Sequence, residues 1–135
     1  MEIEQESLGT ARAVTGRTQY QTVITSDGHA IIVDEPEDAN GSDTAIAPYG
    51  LLMSSLASCT SITLRMYIDR KMWIVDEITV DVEMIKVEGG TLFKRKLNFK
   101  GDLNEEQKHR LIQIADACPI HKILVGGIMV DTELA

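Results

Sequence analysis

Hydrophobic and polar positions change their period along the chain, and each change marks an element. From Arg17 to Thr25 the residues are β-branched or polar with one Tyr, and Ser26-Asp27-Gly28 supplies turn chemistry before the apolar run Ala30 to Val33. That pattern predicts a β-hairpin. The stretch Asp34 to Asp43 is acidic and carries Pro36, Gly41 and Ser42, so it favours neither helix nor strand and reads as an exposed loop. From Pro48 the period becomes helical. Leu52, Leu56, Cys59, Thr63 and Met66 recur at spacings of four, three, four and three, which predicts one buried stripe on a helix running to about Asp69. Ser54, Ser55, Ala57 and Ser58 are small, as suits a central helix approached closely by other elements.

A second sheet region follows. Ile78, Val80, Val82 and Met84 alternate with Thr79, Asp81 and Glu83, the period-two signature of a strand with one buried face. Gly89-Gly90 predicts a turn, and Phe93, Leu97 and Phe99 set between Lys94, Lys96, Asn98 and Lys100 predict the return strand, its lysines facing the acidic residues of the outgoing one. A second helix opens at Asn104, where Gln107 completes a capping box and Glu105 and Glu106 favour the positive end of the helix dipole. Pro119 disfavours helical geometry at Cys118 and ends that helix there, with Leu111, Ile114, Ala115 and Cys118 on one face. Gly127 to Leu134 alternates as a final strand would.

Composition narrows the classes. The 135 residues have the length of a single domain, 1–135, with enough chain to bury one core. Only one Trp, three Tyr and two Phe are present, so aliphatic side chains must fill that core. The net charge of -8 repels phosphate backbones and argues against nucleic acid as a partner. The acidic start, Met1 to Ser7, has neither a basic head nor an apolar run, so no secretory signal is expected. No run of about 18 consecutive apolar residues occurs, so no membrane span is expected, and the cytoplasm is the default location. Two cysteines in that compartment would be reduced thiols, and any disulfide between them transient.

The candidate chemistry is thiol chemistry. Cys59 lies within an apolar stripe, where a thiol often serves as a small hydrophobe; to act as a nucleophile it needs a cation or a helix N-terminus nearby. Cys118, 59 positions later, lies at a helix end beside a proline, where a side chain can reorient. Their separation is not that of a Cys-x-x-Cys motif, so spacing alone does not pair them. Cys118 and His121 have half the spacing of a zinc site, but a structural site needs four ligands and no second Cys/His pair exists, so no metal is expected. His29 and His109 read as exposed. Neither a Ser-His-acid arrangement nor a glycine-rich phosphate loop is legible.

Two segments resemble one family. Pro48-Tyr49-Gly50-Leu51-Leu52-Met53-Ser54-Ser55-Leu56-Ala57-Ser58-Cys59-Thr60 is similar to the helix that carries the peroxidatic cysteine of OsmC/Ohr thiol peroxidases, and Ala117-Cys118-Pro119-Ile120-His121 resembles their second-cysteine motif. Asp34-Glu35-Pro36 and the closing Ile128 to Leu134 extend the likeness over nearly the whole chain from about Arg17. The resemblance implies an α+β fold, two central helices wrapped by antiparallel sheets in an intertwined homodimer. It implies that Cys59 attacks an organic hydroperoxide to give a sulfenic acid and that Cys118 condenses with it to a disulfide. A dithiol such as a lipoylated protein would reduce that disulfide, and no cofactor is called for. Leu52, Leu56, Met66 and Tyr49 would line an apolar substrate pocket.

The family also holds its thiolate with an Arg from the N-terminal hairpin, matched by Arg17 with Arg12 as a lesser substitute, and holds that Arg with a Glu. The Glu position falls here on Tyr49 or Gly50, so the network is incomplete as written and activity would be weak or turned to an unfamiliar substrate. Glu35 or Glu37 could substitute, or Tyr49 could donate a hydrogen bond. The alternative is a non-enzymatic dimer of the same architecture that binds an apolar small molecule in the interface pocket, with Cys59 as lining.

Overall fold

The computed structural model describes residues 5–135, so part of the acidic start, residues 1–4, lies outside the described residues. The chain divides into two compact units, one through Leu51 and one from Leu52 to Ala135. The first holds a three-stranded antiparallel sheet in the order β1 (Arg12–Thr15), β2 (Thr22–Ser26), β3 (His29–Val33). The expected hairpin is β2–β3. Its two-residue turn puts Asp27 at φ 51 and Gly28 at φ 77, and a turn with two left-handed positions matches the twist of the strands it joins. The hairpin begins at Thr22 rather than Arg17, and the preceding strand β1 was not foreseen.

The acidic segment after β3 is organised by one buried carboxylate. Asp34 is 1% exposed and accepts from the backbone N–H groups of Tyr20, Glu35, Ser42 and Thr44 and from the Thr44 hydroxyl, the last at 2.6 Å. The Thr44 hydroxyl, with the amides of Tyr20, Thr44 and Glu35, holds the carboxyl well below the usual carboxylate range against the opposing effect of burial. The segment thus folds back on itself and includes a single 3-10 turn, Glu37–Ala39.

The second unit is built on α1 (Pro48–Lys71), of which it contains the part from Leu52 onward. The buried stripe is Leu56, Thr60, Leu64 and Ile68. This corrects the expected phase by one position: Leu52 and Met66 are exposed, and Cys59 stands at the edge of the stripe rather than in its middle. The cause is legible in the composition, since α1 is apolar on nearly every side and Thr60 is small enough to be buried in place of Cys59. For the same reason α1 is, among described helices, the one long and apolar enough to cross a bilayer, which the count of consecutive apolar residues overlooked. Such a composition belongs equally to a core helix.

Strands β4 (Val75–Val87) and β5 (Gly90–Gly101) form an antiparallel hairpin with the expected cross-strand charges: Glu77 faces Lys100, Asp81 faces Lys96, and Glu83 faces Lys94. The other row pairs Ile78 with Phe99, Val80 with Leu97, and Met84 with Phe93. That row is half-buried and packs, through Ile78, Leu97 and Phe99, against a core of Leu64, Ile68, Val75, Leu111 and Ala115. Burial of each large aliphatic side chain there contributes roughly 1.5–3 kcal/mol.

Helix α2 (Glu105–Ala115) starts with the predicted capping box: Asn104 Oδ1 accepts from the Gln107 amide at 2.8 Å, and Gln107 Oε1 accepts from the Asn104 amide at 2.9 Å. Beyond the break a short helix, α3 (Pro119–Val125), begins with Cys118 as its N-cap and proline as its first residue, the helical position that needs no N–H. The final strand expected over Gly127 to Leu134 is not formed. Those residues are exposed coil, because no strand edge among the described residues pairs with them.

Candidate functional site

Both cysteines belong to the second unit, and two helices bring them together. Cys59 comes from the middle of α1, and Cys118 from the corner between α2 and α3. The side chains are within hydrogen-bonding reach of each other, and both thiols are free. Their exposures differ. Cys118 is fully buried, whereas Cys59 is half-buried and reaches solvent. Leu111 and Ala115 are buried on the inner face of α2 and Cys118, just beyond its end, is buried with them, as the shared-face reading predicted.

The surroundings push the two thiols in opposite directions. Burial raises Cys59, and the hydrogen bond it shares with Cys118 raises it further; the Ile120 amide and the Thr63 hydroxyl oppose this only in part. Burial would raise Cys118 as well. There, however, hydrogen bonds from Cys59, from the amides of His121 and Ile120 and from the Thr60 hydroxyl outweigh it, and the Cys118 thiol is lowered. The amides are available because the chain turns into α3 at this point, leaving first-turn N–H groups without helical acceptors.

A guanidinium enters this network from an unexpected place. Arg95 of β5 stands opposite Val82, in the half-buried row otherwise filled by Phe93, Leu97 and Phe99. Its side chain is only 13% exposed and is held on three sides. Nη1 donates to Thr60 Oγ1 at 3.1 Å, and Nη2 donates to Asp116 Oδ1 at 2.7 Å and to His121 Nδ1 at 3.3 Å. Arginine has no acceptor, so in this contact His121 Nδ1 is the accepting atom. The sequence held the signal for Arg95: a basic residue at an inward position of a strict two-residue alternation is out of place unless it has partners. It was hidden by the lysines at the alternate positions.

Beside this network opens a cavity of about 1010 Å³. Leu56, Phe93, Leu97 and Leu124 give it apolar walls, with Arg95, Asp116 and His121 also on its lining. Of the expected pocket residues Leu56 lines it. Leu52 and Met66 are exposed elsewhere on α1, and Tyr49 is an exposed residue of the first unit. Arg17 is likewise exposed in the first unit, in the segment joining β1 and β2, as is Arg12 on β1. His109 is exposed, as expected, and also lies on the cavity lining. Among the described residues no group of three or more His, Cys, Asp or Glu side chains is placed to hold a metal ion.

Solved structures with the same fold include an OsmC-like protein of Mycoplasma pneumoniae, 20% identical, with a TM-score of 0.76 and 90% of each chain covered. An organic hydroperoxide resistance protein of Legionella pneumophila is 23% identical over 91% of this chain and 93% of its own, with a TM-score of 0.62. The organic hydroperoxide resistance protein OhrB of Bacillus subtilis is 28% identical over 86% of this chain and 89% of its own, with a TM-score of 0.58. A search of curated proteins gives no match. The family model for OsmC-like proteins matches residues 41–133, a span that includes α1, the β4–β5 hairpin and both cysteines, and on that match the chain belongs to the OsmC-like protein family.

Proposed function

We propose that the chain is a thiol-dependent peroxidase that reduces organic hydroperoxides. One observation carries the reading: two free cysteines distant in sequence are held within reach of each other, one open to solvent and one sealed behind it. A peroxidase of this kind needs that asymmetry. The Cys59 sulfur attacks the O–O bond, becomes a sulfenic acid and releases an alcohol; the Cys118 sulfur then displaces water from that sulfenic acid to form the disulfide. A dithiol reductant returns both to thiols. Relatives named as organic hydroperoxide resistance proteins support the same reading. Arg17 remains the proposed hairpin arginine of the resemblance.

The reading includes a homodimer. Ile62 (55% exposed) and Met66 (61%) lie away from the buried stripe of α1, an apolar surface that a second copy would cover. It also includes a reducing, cytoplasmic setting, in which both cysteines rest as thiols between turnovers. The test is direct. Reduced protein mixed with cumene hydroperoxide is expected to lose both thiols and to yield a Cys59–Cys118 disulfide on non-reducing peptide mapping. If wild type consumes no more peroxide than Cys59→Ser, the proposal fails. The apolar cavity favours a second reading, a non-enzymatic binder of an apolar small molecule. Cys59 that alkylates at the same rate folded and unfolded would select it.

A further inference from the structure

We propose that Arg95 positions the two cysteines for disulfide formation: its guanidinium clamps the turn of α1 that carries Cys59 to the α2–α3 corner that carries Cys118. The place of this clamp in turnover rests on the peroxidase reading; the clamp itself does not.

Three anchors define it. Thr60, the residue after Cys59, is fully buried, and its Oγ1 accepts from Arg95 Nη1 at 3.1 Å. Asp116, just before the corner, accepts through Oδ1 from Nη2 at 2.7 Å, and His121, just after it, accepts through Nδ1 from the same nitrogen at 3.3 Å. One planar fork thus grips both cysteine-bearing elements, with one arm on each. Its origin is independent of the helices. Arg95 stands on β5 opposite Val82, and the pairs Met84–Phe93 and Val80–Leu97 fix the strand register on either side of it.

Stability alone does not account for a charge at this position. The neighbouring inward residues Phe93, Leu97 and Phe99 are apolar, and a guanidinium only 13% exposed among them loses most of its hydration. An apolar side chain would avoid that cost. The Asp116 carboxylate is 62% exposed, so solvent weakens the attraction that offsets it. What an apolar side chain cannot do is tie two separate elements together through directed hydrogen bonds.

In turnover the clamp serves the second step. The Cys118 sulfur bonds to the Cys59 sulfur of the sulfenic acid as the S–O bond breaks, and the departing hydroxyl takes the Cys118 proton and leaves as water. The two sulfurs must meet in line, and a misplacement of about 1 Å can cost a reaction roughly a hundredfold. Exchange with oxidised glutathione makes the same demand without any peroxide. The protein's two thiols lose two electrons and two protons to one glutathione disulfide, giving the Cys59–Cys118 disulfide and two glutathione thiols.

The experiment equilibrates the full-length protein in mixtures of reduced and oxidised glutathione, quenches in acid and measures the Cys59–Cys118 disulfide by peptide mass. Arg95→Met and Thr60→Val, each with an unchanged far-UV spectrum, are expected to lower the equilibrium constant for this disulfide by about tenfold, within the range that a small misplacement can produce. Arg95→Lys keeps the charge but not the fork, and is expected to fall near Arg95→Met. Lys94→Met, on the exposed face of β5, removes a charge without touching the clamp and is expected to match wild type. A role in stability alone would lower the melting temperature of Arg95→Met and leave its disulfide equilibrium at the wild-type value; that result, or an Arg95→Lys that matches wild type, overturns the proposal. A folded Thr60→Val with the wild-type equilibrium overturns it too. Peroxide is added separately, and Cys59 sulfenic acid trapped by dimedone is expected to accumulate in Arg95→Met and not in wild type. A wild type that consumes no peroxide but shows the expected glutathione series defeats the peroxidase reading and leaves the clamp standing.

Discussion

Truncation of Leu64 to alanine tests whether the stripe that orients α1 is the one described. Leu64 is fully buried, lies one turn beyond Thr60, and packs in the cluster of Ile68, Val75, Leu111 and Ala115. Removing its isopropyl end withdraws the transfer contribution of the three lost carbons, about 2 to 2.5 kcal/mol at about 0.8 kcal/mol per methylene equivalent. A residual cavity adds to this, because the surrounding helix and hairpin relax only in part, and the total comes to about 3 to 4 kcal/mol. A domain with a stability of about 5–15 kcal/mol would remain folded but would melt roughly 10 °C lower. Urea unfolding followed by circular dichroism, at one fixed protein concentration, gives the number directly, with an unchanged m-value showing that the same surface unfolds. Ile62→Ala is the internal control. At 55% exposure it is expected to cost less than about 1 kcal/mol in dilute protein, and more where a second copy covers it. A loss below about 1 kcal/mol for Leu64→Ala would refute the packing from which the cysteine positions follow.

Two further outcomes bear on the scaffold. Asn104→Ala removes one hydrogen bond of the capping box outright and leaves Gln107 without its reciprocal partner, so thermal melts are expected to show a loss of about 1 kcal/mol. Asp34 has a folded-state carboxyl held below its unfolded value near about 3.9, so its stabilisation is complete above roughly pH 4 and is lost as the pH falls below it. Asp34→Ala is therefore expected to lower the melting temperature at pH 7, with a gap from wild type that narrows in acid; a gap equally wide at pH 3 would contradict the hydrogen-bonded carboxylate.

How much of this was legible in the sequence depended on how strongly each segment constrained its own period. The β4–β5 hairpin was readable to the level of facing charges, because one buried face and a glycine turn fix register together. The α2 capping box was readable for a similar reason: its two hydrogen bonds are local and depend on residues three apart. The phase of α1 was not, since an apolar pattern nearly all the way round leaves the choice of face to tertiary packing. Helix α3 was missed because seven residues carry too little periodicity to announce a helix, and its proline was read as a stop when it was also a start. Both cysteines could be named from their segments, but Arg95 required knowing that an inward strand position points at Thr60 and the α2–α3 corner, which is tertiary information.

The break at Cys118 separates rigidity from reach. Because Asp116 closes α2 and Pro119 opens α3, the cysteine stands on a hinge point that belongs to neither rod. Its side chain can swing towards Cys59 by rotating about its own bonds, while the ladders on either side stay zipped. A crosslink formed there would tie α1 to this elbow without unwinding a turn, so oxidised and reduced forms should share one secondary structure and differ chiefly in how freely the elbow flexes.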